Sequence, residues 1–116
     1  MPSDGYKKRT YQAKLSGDQS NVQIIAPGDN GSGNGYQRII IDHFTVTLSA
    51  TGTFKLTSKA SNTDVCPAFN IAAATPLILD RKSMGKQMKS NPGEGVGVTT
   101  TGGGDPAIVV EYHYEP

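Results

Sequence analysis

The chain has 116 residues and a formal net charge of +1, which is the length of one domain with almost no charge excess. This balance gives no general electrostatic attraction to nucleic acid or to an anionic membrane, so we expect neither as a partner. Glycine is abundant, tryptophan is absent, and short blocks of Thr, Val and Ile lie between turn-forming residues. The composition predicts an all-β protein, a sandwich or a barrel of short strands.

The first nine residues are polar and basic and end in Lys7, Lys8 and Arg9. They contain no apolar core, so no signal peptide is expected, and no later segment approaches membrane-spanning length. We interpret them as a flexible arm, which is either a disordered terminus or a segment that docks on a partner. A weak alternation over residues 10–15 is compatible with an opening strand. The division we adopt is an arm at 1–15 and a β-sandwich domain at 16–116.

A glycine-rich stretch at 28–35 follows a short apolar strand at 22–26. It superficially suggests a calcium loop, but an EF-hand needs oxygen ligands at alternate positions and here Gly31 and Gly33 occupy two of them. A phosphate-binding loop would need a Lys-Ser or Lys-Thr pair and a following helix, and neither follows. The stretch therefore predicts a mobile loop at one end of the sandwich.

The segment 38–48 is the longest run rich in β-branched and aromatic residues, and it contains neither Gly nor Pro. Its alternation predicts a central strand whose core face carries Ile40, Phe44, Val46 and Leu48, with Asp42 as the exception. The opposite face carries Ile39, Ile41, His43, Thr45 and Thr47. Because this second face is apolar at one end, we expect it to be covered there, and a second subunit is the cover that a small all-β protein favours.

The rest of the chain contributes further short strands. A glycine turn at 50–52 predicts a hairpin between the central strand and 53–58, with Phe54 and Leu56 in the core. Further strands are expected at 77–79, 96–100 and 107–114. The segment 80–90 is expected to be a loop or a distorted strand. Four cations there form a basic patch, which is either a solvated edge or a docking surface for an acidic partner: Arg81, Lys82, Lys86 and Lys89.

Residues that could carry catalysis are few and scattered. The carboxylates occur singly, and no pair has a spacing typical of acid and base work. Two histidines and one cysteine, far apart in sequence, do not form a metal-binding motif, and Cys66 has no partner for an intramolecular disulfide. His43 and His113 would be neighbours if strands 38–48 and 107–114 pair. We expect no enzyme activity, no catalytic residue, no metal and no cofactor.

The order of these elements resembles a known family. The segment 38–48, the Ser-Ala-Thr-Gly turn and 53–58 are followed by 71–79, 91–100 and the closing strand 107–114. This order resembles small jelly-roll virion proteins of tailed bacteriophages, which form trimers and serve as capsid decoration or cement proteins. The likeness covers about residues 20–114. It implies two Greek keys that pack as two antiparallel sheets of about eight strands, with a tumour-necrosis-factor-like outline.

The same resemblance implies a role and a set of contact residues. It implies a non-enzymatic homotrimer on the capsid surface of the virion, assembled in the host cytoplasm, with the major capsid protein as its partner. The capsid-binding candidates are then Tyr6, Lys7, Lys8 and Arg9 in the arm. The candidates for the subunit contact are Ile39, Ile41, His43, Tyr112 and His113.

Three other roles use the same fold. A trimeric tail-fibre or baseplate domain that binds a host receptor or glycan is the main alternative, with a binding site in loops such as 28–35. A carbohydrate-binding module is disfavoured because tryptophan is missing and no linker or partner domain is evident. A cytokine-like ligand is disfavoured because no secretion signal is expected.

Overall fold

The computed structural model describes residues 8–27, 37–80 and 88–115, and every regular element in these ranges is a β-strand. No helix in them is long and apolar enough to cross a membrane. The ten strands are β1 (Arg9–Lys14), β2 (Val22–Ile25), β3 (Arg38–Leu48), β4 (Gly52–Ser58), β5 (Thr63–Asp64), β6 (Phe69–Ile71), β7 (Leu77–Asp80), β8 (Met88–Lys89), β9 (Val96–Thr101) and β10 (Pro106–Glu115).

The strands form two antiparallel sheets. Sheet A has the order β1-β10-β3, with β7 and β8 both on the far side of β3. Sheet B has the order β2-β9-β4, with β5 and β6 both on the far side of β4. Each of these pairs of short strands shares one position in its sheet, so ten strands fill eight positions.

This pairing order is that of a jelly roll. The first strand, β1, pairs with the last, β10, and β2 pairs with the second to last, β9. Further inward along the chain, β3 pairs with β7 and β8, and β4 pairs with β5 and β6. The chain is thus a long folded-back hairpin wrapped into two sheets, which produces two Greek keys. The predicted fold class, an all-β antiparallel sandwich of about eight strands, is confirmed.

The core lies between the two sheets. Phe44 from sheet A meets Phe54 from sheet B with ring centroids 5.4 Å apart and an interplanar angle of 46°. The predicted core residues Val46, Leu48 and Leu56 join the same buried cluster. Their strands alternate inward apolar residues with outward polar ones, and burial of the inward set is the main stabilising contribution to the sandwich.

The N-terminal boundary of the sandwich lies earlier than the sequence suggested. β1 pairs with β10 along its whole length, from Arg9 opposite Tyr112 to Lys14 opposite Ala107. Tyr11 packs against the core from this strand. The segment 9–14, which we had assigned to the arm, is therefore the edge strand of sheet A, because its backbone pairs with β10 although its side chains alternate only weakly.

Two predicted loops fall partly or wholly outside the described residues. The glycine-rich stretch at 28–35 lies outside them. Three cations of the predicted basic patch, at positions 81, 82 and 86, lie outside them as well. The fourth cation, Lys89, belongs to β8 and is exposed.

Candidate functional site

A β-bulge in β3 decides which side chains of the central strand reach the core. β3 and β10 keep one register as far as His43 opposite Glu111 and continue in a shifted register from Ile41 opposite Tyr112. Asp42 is therefore the extra residue of β3 at this point. Because side chains alternate with a period of two, one extra residue exchanges the two faces of the strand beyond it.

The bulge places Ile39 and Ile41 inside the sandwich. Both are 0% exposed and belong to the same apolar cluster as Phe44. Ile40, which we had expected in the core beside Phe44, is buried at 1% exposure but does not belong to that cluster, because it takes the opposite face of the sheet. This corrects the predicted subunit contact at Ile39 and Ile41, because side chains that a single chain buries completely have no surface left for a second subunit.

Tyr112 also faces away from the surface that carries the histidines. It packs against the core from β10, and its ring makes an edge contact with Tyr114 at a centroid distance of 5.8 Å. The Tyr114 hydroxyl donates a hydrogen bond to the Ala26 carbonyl at 2.9 Å, which ties the end of β10 to sheet B. Tyr112 is half-buried at this end of the sandwich, so it shares no face with His43 and His113.

The described part of the predicted capsid-binding arm consists of Lys8 and Arg9. The Arg9 guanidinium lies 5.3 Å from the Tyr114 ring centroid, a cation–π contact. Lys8 is exposed immediately before β1. The other two candidates, Tyr6 and Lys7, lie outside the described residues. Arg9 therefore belongs to the fold, and Lys8 is the described arm candidate that is not part of a strand.

His113 lies between two carboxylates on the outer face of sheet A, the face turned away from the core. Its Nδ1 is 2.8 Å from Asp42 Oδ2, and its Nε2 is 2.8 Å from Glu115 Oε2. The His113 side chain is 8% exposed, against 12% for Asp42 and 29% for Glu115. The bulge creates this cluster, because the extra residue in β3 is the one whose carboxylate reaches the imidazole.

Burial disfavours the charged imidazole of His113, but the hydrogen bonds to Asp42 and Glu115 favour it more, so the pKa of His113 is raised above its ordinary value. In the protonated form both ring nitrogens donate, one to each carboxylate. A histidine with both nitrogens committed in this way is suited to holding charge in place. General-base catalysis and metal binding both need a ring nitrogen with a lone pair directed at the substrate or metal.

The other predicted histidine, His43, belongs to the more open half of the same outer face. It is half-buried in β3, opposite Glu111 of β10 on one side and Asp80 of β7 on the other. The next outward-facing row along the strands consists of Gln12, Val109, Thr45 and Ile78, which the pairing register aligns across β1, β10, β3 and β7. We call these four residues the central row.

The central row exposes two large apolar side chains. Ile78 is 58% exposed and Val109 is 38% exposed, and both flank Thr45. A shallow depression of about 380 Å³ lies beside them, with Lys14 and Thr47 on its lining. Two large apolar side chains exposed in one row of a sheet make this face a candidate interaction surface.

A second polar cluster lies where the segment before β9 meets the end of β4. The Glu94 carboxylate accepts hydrogen bonds from the Ser58 hydroxyl at 2.7 Å and from the hydroxyl and backbone N–H of Ser61 at 2.9 and 3.1 Å. The Ser58 hydroxyl in turn accepts from the Asn91 N–H at 2.9 Å. The hydrogen bond from Ser58 contributes most to lowering the pKa of Glu94, and burial only partly opposes it.

Metal binding and thiol chemistry find little support in the described residues. Within the ranges 8–27, 37–80 and 88–115, no group of three His, Cys, Asp or Glu side chains is arranged to hold a metal ion. Cys66 is buried, and that burial raises the pKa of its thiol to about 11, so the thiolate needed for nucleophilic chemistry is scarce at neutral pH.

The sequence contained a signal for the His113 cluster that strict alternation missed. Asp42 falls on the core face of the central strand if the alternation is continuous, and a lone carboxylate there would be a costly buried charge. A bulge at Asp42 removes that conflict. The role of Glu115 had no comparable signal, because its contact with His113 depends on side-chain directions at the end of β10.

No protein-family model and no curated protein matches this chain. Among solved structures it is similar to a chain of the virus-like particle of extra small virus from the giant freshwater prawn Macrobrachium rosenbergii. The match covers 100% of this chain and 86% of that chain, with 14% sequence identity and a TM-score of 0.27.

Proposed function

We propose that this protein is a non-enzymatic structural protein of a bacteriophage particle, a homotrimeric decoration or cement protein on the outer surface of the head. The pairing order of its strands carries the proposal, since double-sheet jelly rolls are an architecture of viral capsid and lectin domains. Between capsid and lectin domains, the order of sequence elements favours a capsid protein, because it resembles the order in phage decoration proteins. The proposed partner is the major capsid protein, and neither nucleic acid nor membrane is a partner.

The chemistry of the outer face supports binding over catalysis. His113, the most buried titratable side chain among the described residues of that face, has both ring nitrogens hydrogen-bonded to carboxylates. The central row beside it is apolar and exposed at Ile78 and Val109. A surface of this kind contributes contact area, and its buried imidazole is already held by Asp42 and Glu115 inside the chain.

The proposed mechanism is that of a clamp. Each trimer bridges neighbouring capsid subunits through its N-terminal arms, which leave the sandwich at the edge strand β1. Three linked weak contacts act at a high effective concentration, so that the trimer binds far more tightly than one arm would. Assembly takes place in the host cytoplasm, and the bound trimers stabilise the shell against the internal pressure of the packaged genome.

Truncation of the arm tests the proposal. Because Arg9 pairs with Tyr112 and contacts Tyr114, the deletion should end at residue 7 and leave β1 intact. We expect the variant lacking 1–7 to keep its fold and its trimeric mass while losing most of its binding to heads stripped of this protein. A second comparison tests the charge of the arm in the full-length protein. Lys8→Gln should weaken binding to the heads, whereas the control Lys59→Gln, which removes a lysine outside the arm, should not. Unchanged binding after truncation would dismiss the arm as the capsid contact.

The number of copies per particle tests the location. Quantitative mass spectrometry of purified virions should give a simple ratio to the shell protein, with many copies per head. A handful of copies confined to the tail would overturn the decoration role and favour a tail-fibre or baseplate domain that binds a host receptor or glycan. Native mass spectrometry of the isolated protein should give three times the 12.2 kDa chain mass.

A further inference from the structure

We propose that the outer face of sheet A binds the same face of a second copy of this chain, around a two-fold axis that runs along the central row. This contact goes beyond the proposed trimer and does not depend on it. In a trimeric protein it would join one trimer to the next, and in a protein without the three-fold contact it would form a dimer. It assigns His43 to this two-fold contact.

The first argument is the arrangement of exposed apolar side chains. Val109 and Ile78 are exposed on either side of Thr45 in a single row across the sheet. A two-fold axis along that row sets each of these side chains against its own counterpart in the partner. Two-fold contacts of this isologous kind use one self-complementary patch on both copies.

The second argument is the distribution of charge on either side of the row. Lys14 of β1 lies two residues beyond Gln12 in one direction, and Glu111 of β10 lies two residues beyond Val109 in the other. Among the described residues neither charge makes an ion pair within its own chain. A rotation of 180° about the row moves Lys14 of each copy to the side of the row where Glu111 of the other copy lies, one strand away. Opposite charges therefore lie close together at both ends of the contact.

The size of the face sets the strength of the contact. Four strands about 4.8 Å apart and three outward rows about 6.8 Å apart cover on the order of 400 Å² per copy. This is below the roughly 800 Å² per partner of a standard stable interface, so an isolated pair should associate weakly. Copies held side by side on a shell would pair through the same face with the benefit of a high local concentration.

Sedimentation of the full-length protein over a wide concentration range, at low salt, tests the contact. The wild-type protein should double its basal mass as the concentration rises, from monomer to dimer or from trimer to hexamer. Val109→Lys and Ile78→Lys should each abolish the doubling without changing the thermal midpoint beyond a small shift. Val22→Lys is the matched control, because Val22 is 41% exposed on sheet B and Val109 is 38% exposed on sheet A.

A charge exchange tests the two-fold geometry itself. Lys14→Glu and Glu111→Lys should each weaken the doubling at least tenfold, because each sets like charges against one another at both ends of the contact. The double variant should return to within about threefold of the wild-type dissociation constant, since the opposite charges meet again.

Three results would overturn the proposal: no doubling of the wild-type mass at any concentration, a loss in Val22→Lys equal to that in Val109→Lys, or no recovery in the double variant. Loss of capsid binding in Val109→Lys without any wild-type doubling would assign the face to the capsid protein instead. The trimer fails separately, by a basal mass that is not three chains.

Discussion

The His113 and Glu94 clusters stabilise buried or half-buried charges with opposite kinds of partner. The His113 cluster holds one imidazole between two carboxylates, and it exists because a bulge in β3 brings Asp42 into reach of β10. The Glu94 cluster holds one carboxylate among neutral hydroxyl and N–H donors of nearby turns. The His113 cluster depends on the register between β3 and β10, which are far apart in sequence. The Glu94 cluster depends on the end of β4 and on nearby loops, which lie together at one end of sheet B.

The difference has a consequence for the pH dependence of stability. The raised pKa of His113 means that its contribution is fully present below the unfolded value of about 6.5 and is lost as the pH rises through the folded pKa. The lowered pKa of Glu94 means that its contribution is present above the unfolded value of about 4.3 and is lost as the pH falls through the folded pKa. The two clusters together favour maximal stability between these two unfolded values.

The largest expected effect comes from truncating the two isoleucines that the bulge turns into the core. The double variant Ile39→Ala, Ile41→Ala keeps the length of β3 and shortens two side chains that are 0% exposed. Loss of a buried isoleucine costs about 2–5 kcal/mol, and two such losses approach the whole stability of a typical domain, about 5–15 kcal/mol. We expect the double variant to be unfolded by circular dichroism and urea titration.

The matched control is Ile78→Ala in the same sheet, because Ile78 is 58% exposed. It should change the free energy of unfolding by no more than about 0.5 kcal/mol. A double variant with the urea midpoint of the wild-type protein would show that Ile39 and Ile41 do not contribute to the core.

An intermediate effect is expected from His113→Gln. The substitution leaves Asp42 and Glu115 without the imidazolium between them, and breaking a buried ion pair costs about 3–5 kcal/mol. Partial exposure of Glu115 reduces this, so we expect a loss of about 2–4 kcal/mol in the free energy of unfolding at pH 6. The loss should be smaller at pH 9, where the imidazole of the wild-type protein carries less charge.

Urea unfolding at both pH values measures this difference. His43→Gln is the matched control, and it should change the free energy of unfolding by no more than about 0.5 kcal/mol, since His43 is half-buried and makes no hydrogen bond to a carboxylate among the described residues. An equal loss for His113→Gln at pH 6 and at pH 9 would contradict the charged state we assign to His113.

The smallest effect is expected from Ser58→Ala in the Glu94 cluster. Ser58 is 1% exposed, and its hydroxyl both donates to Glu94 and accepts from Asn91. Loss of these bonds should cost about 1–2 kcal/mol near pH 6. The cost should fall as the pH drops through the lowered pKa of Glu94, because a protonated Glu94 benefits less from the donor. Thermal unfolding at several pH values checks this against Ser20→Ala, an exposed serine, and a cost that grows on acidification would refute it.

Local pattern was enough to predict the longer strands β3, β4, β9 and β10 and most of the core. Phe44, Val46 and Leu48 alternate with polar residues in one strand, and Phe54 and Leu56 do so in the next, and all five are buried. Apolar side chains at a period of two can be buried together only as one face of a strand, so the fold class followed from residue spacing. The jelly-roll order was suggested by the likeness to phage decoration proteins, and the strand pairing agrees with it.

The candidate site was predicted only in part, because it depends on long-range register. His43 and His113 were expected to be neighbours on one face, and both do lie on the outer face of sheet A, on paired strands. The placement of Ile39 and Ile41 was wrong, since a sequence pattern cannot show which strand of a pair carries an extra residue. Edge strand β1 was assigned to the arm because pairing with β10 leaves little trace in a weakly alternating sequence.

Composition and residue spacing were sufficient to predict a small all-β protein with a central strand at 38–48 and nearly balanced charge. The pairing of the strands was needed to show which face of that strand is core, which side chains surround His113, and where apolar side chains remain exposed. The physical reason is that alternation is a local property of the backbone, whereas register is set by two strands together. A single inserted residue at Asp42 costs little locally and yet exchanges the faces of everything before it in the strand.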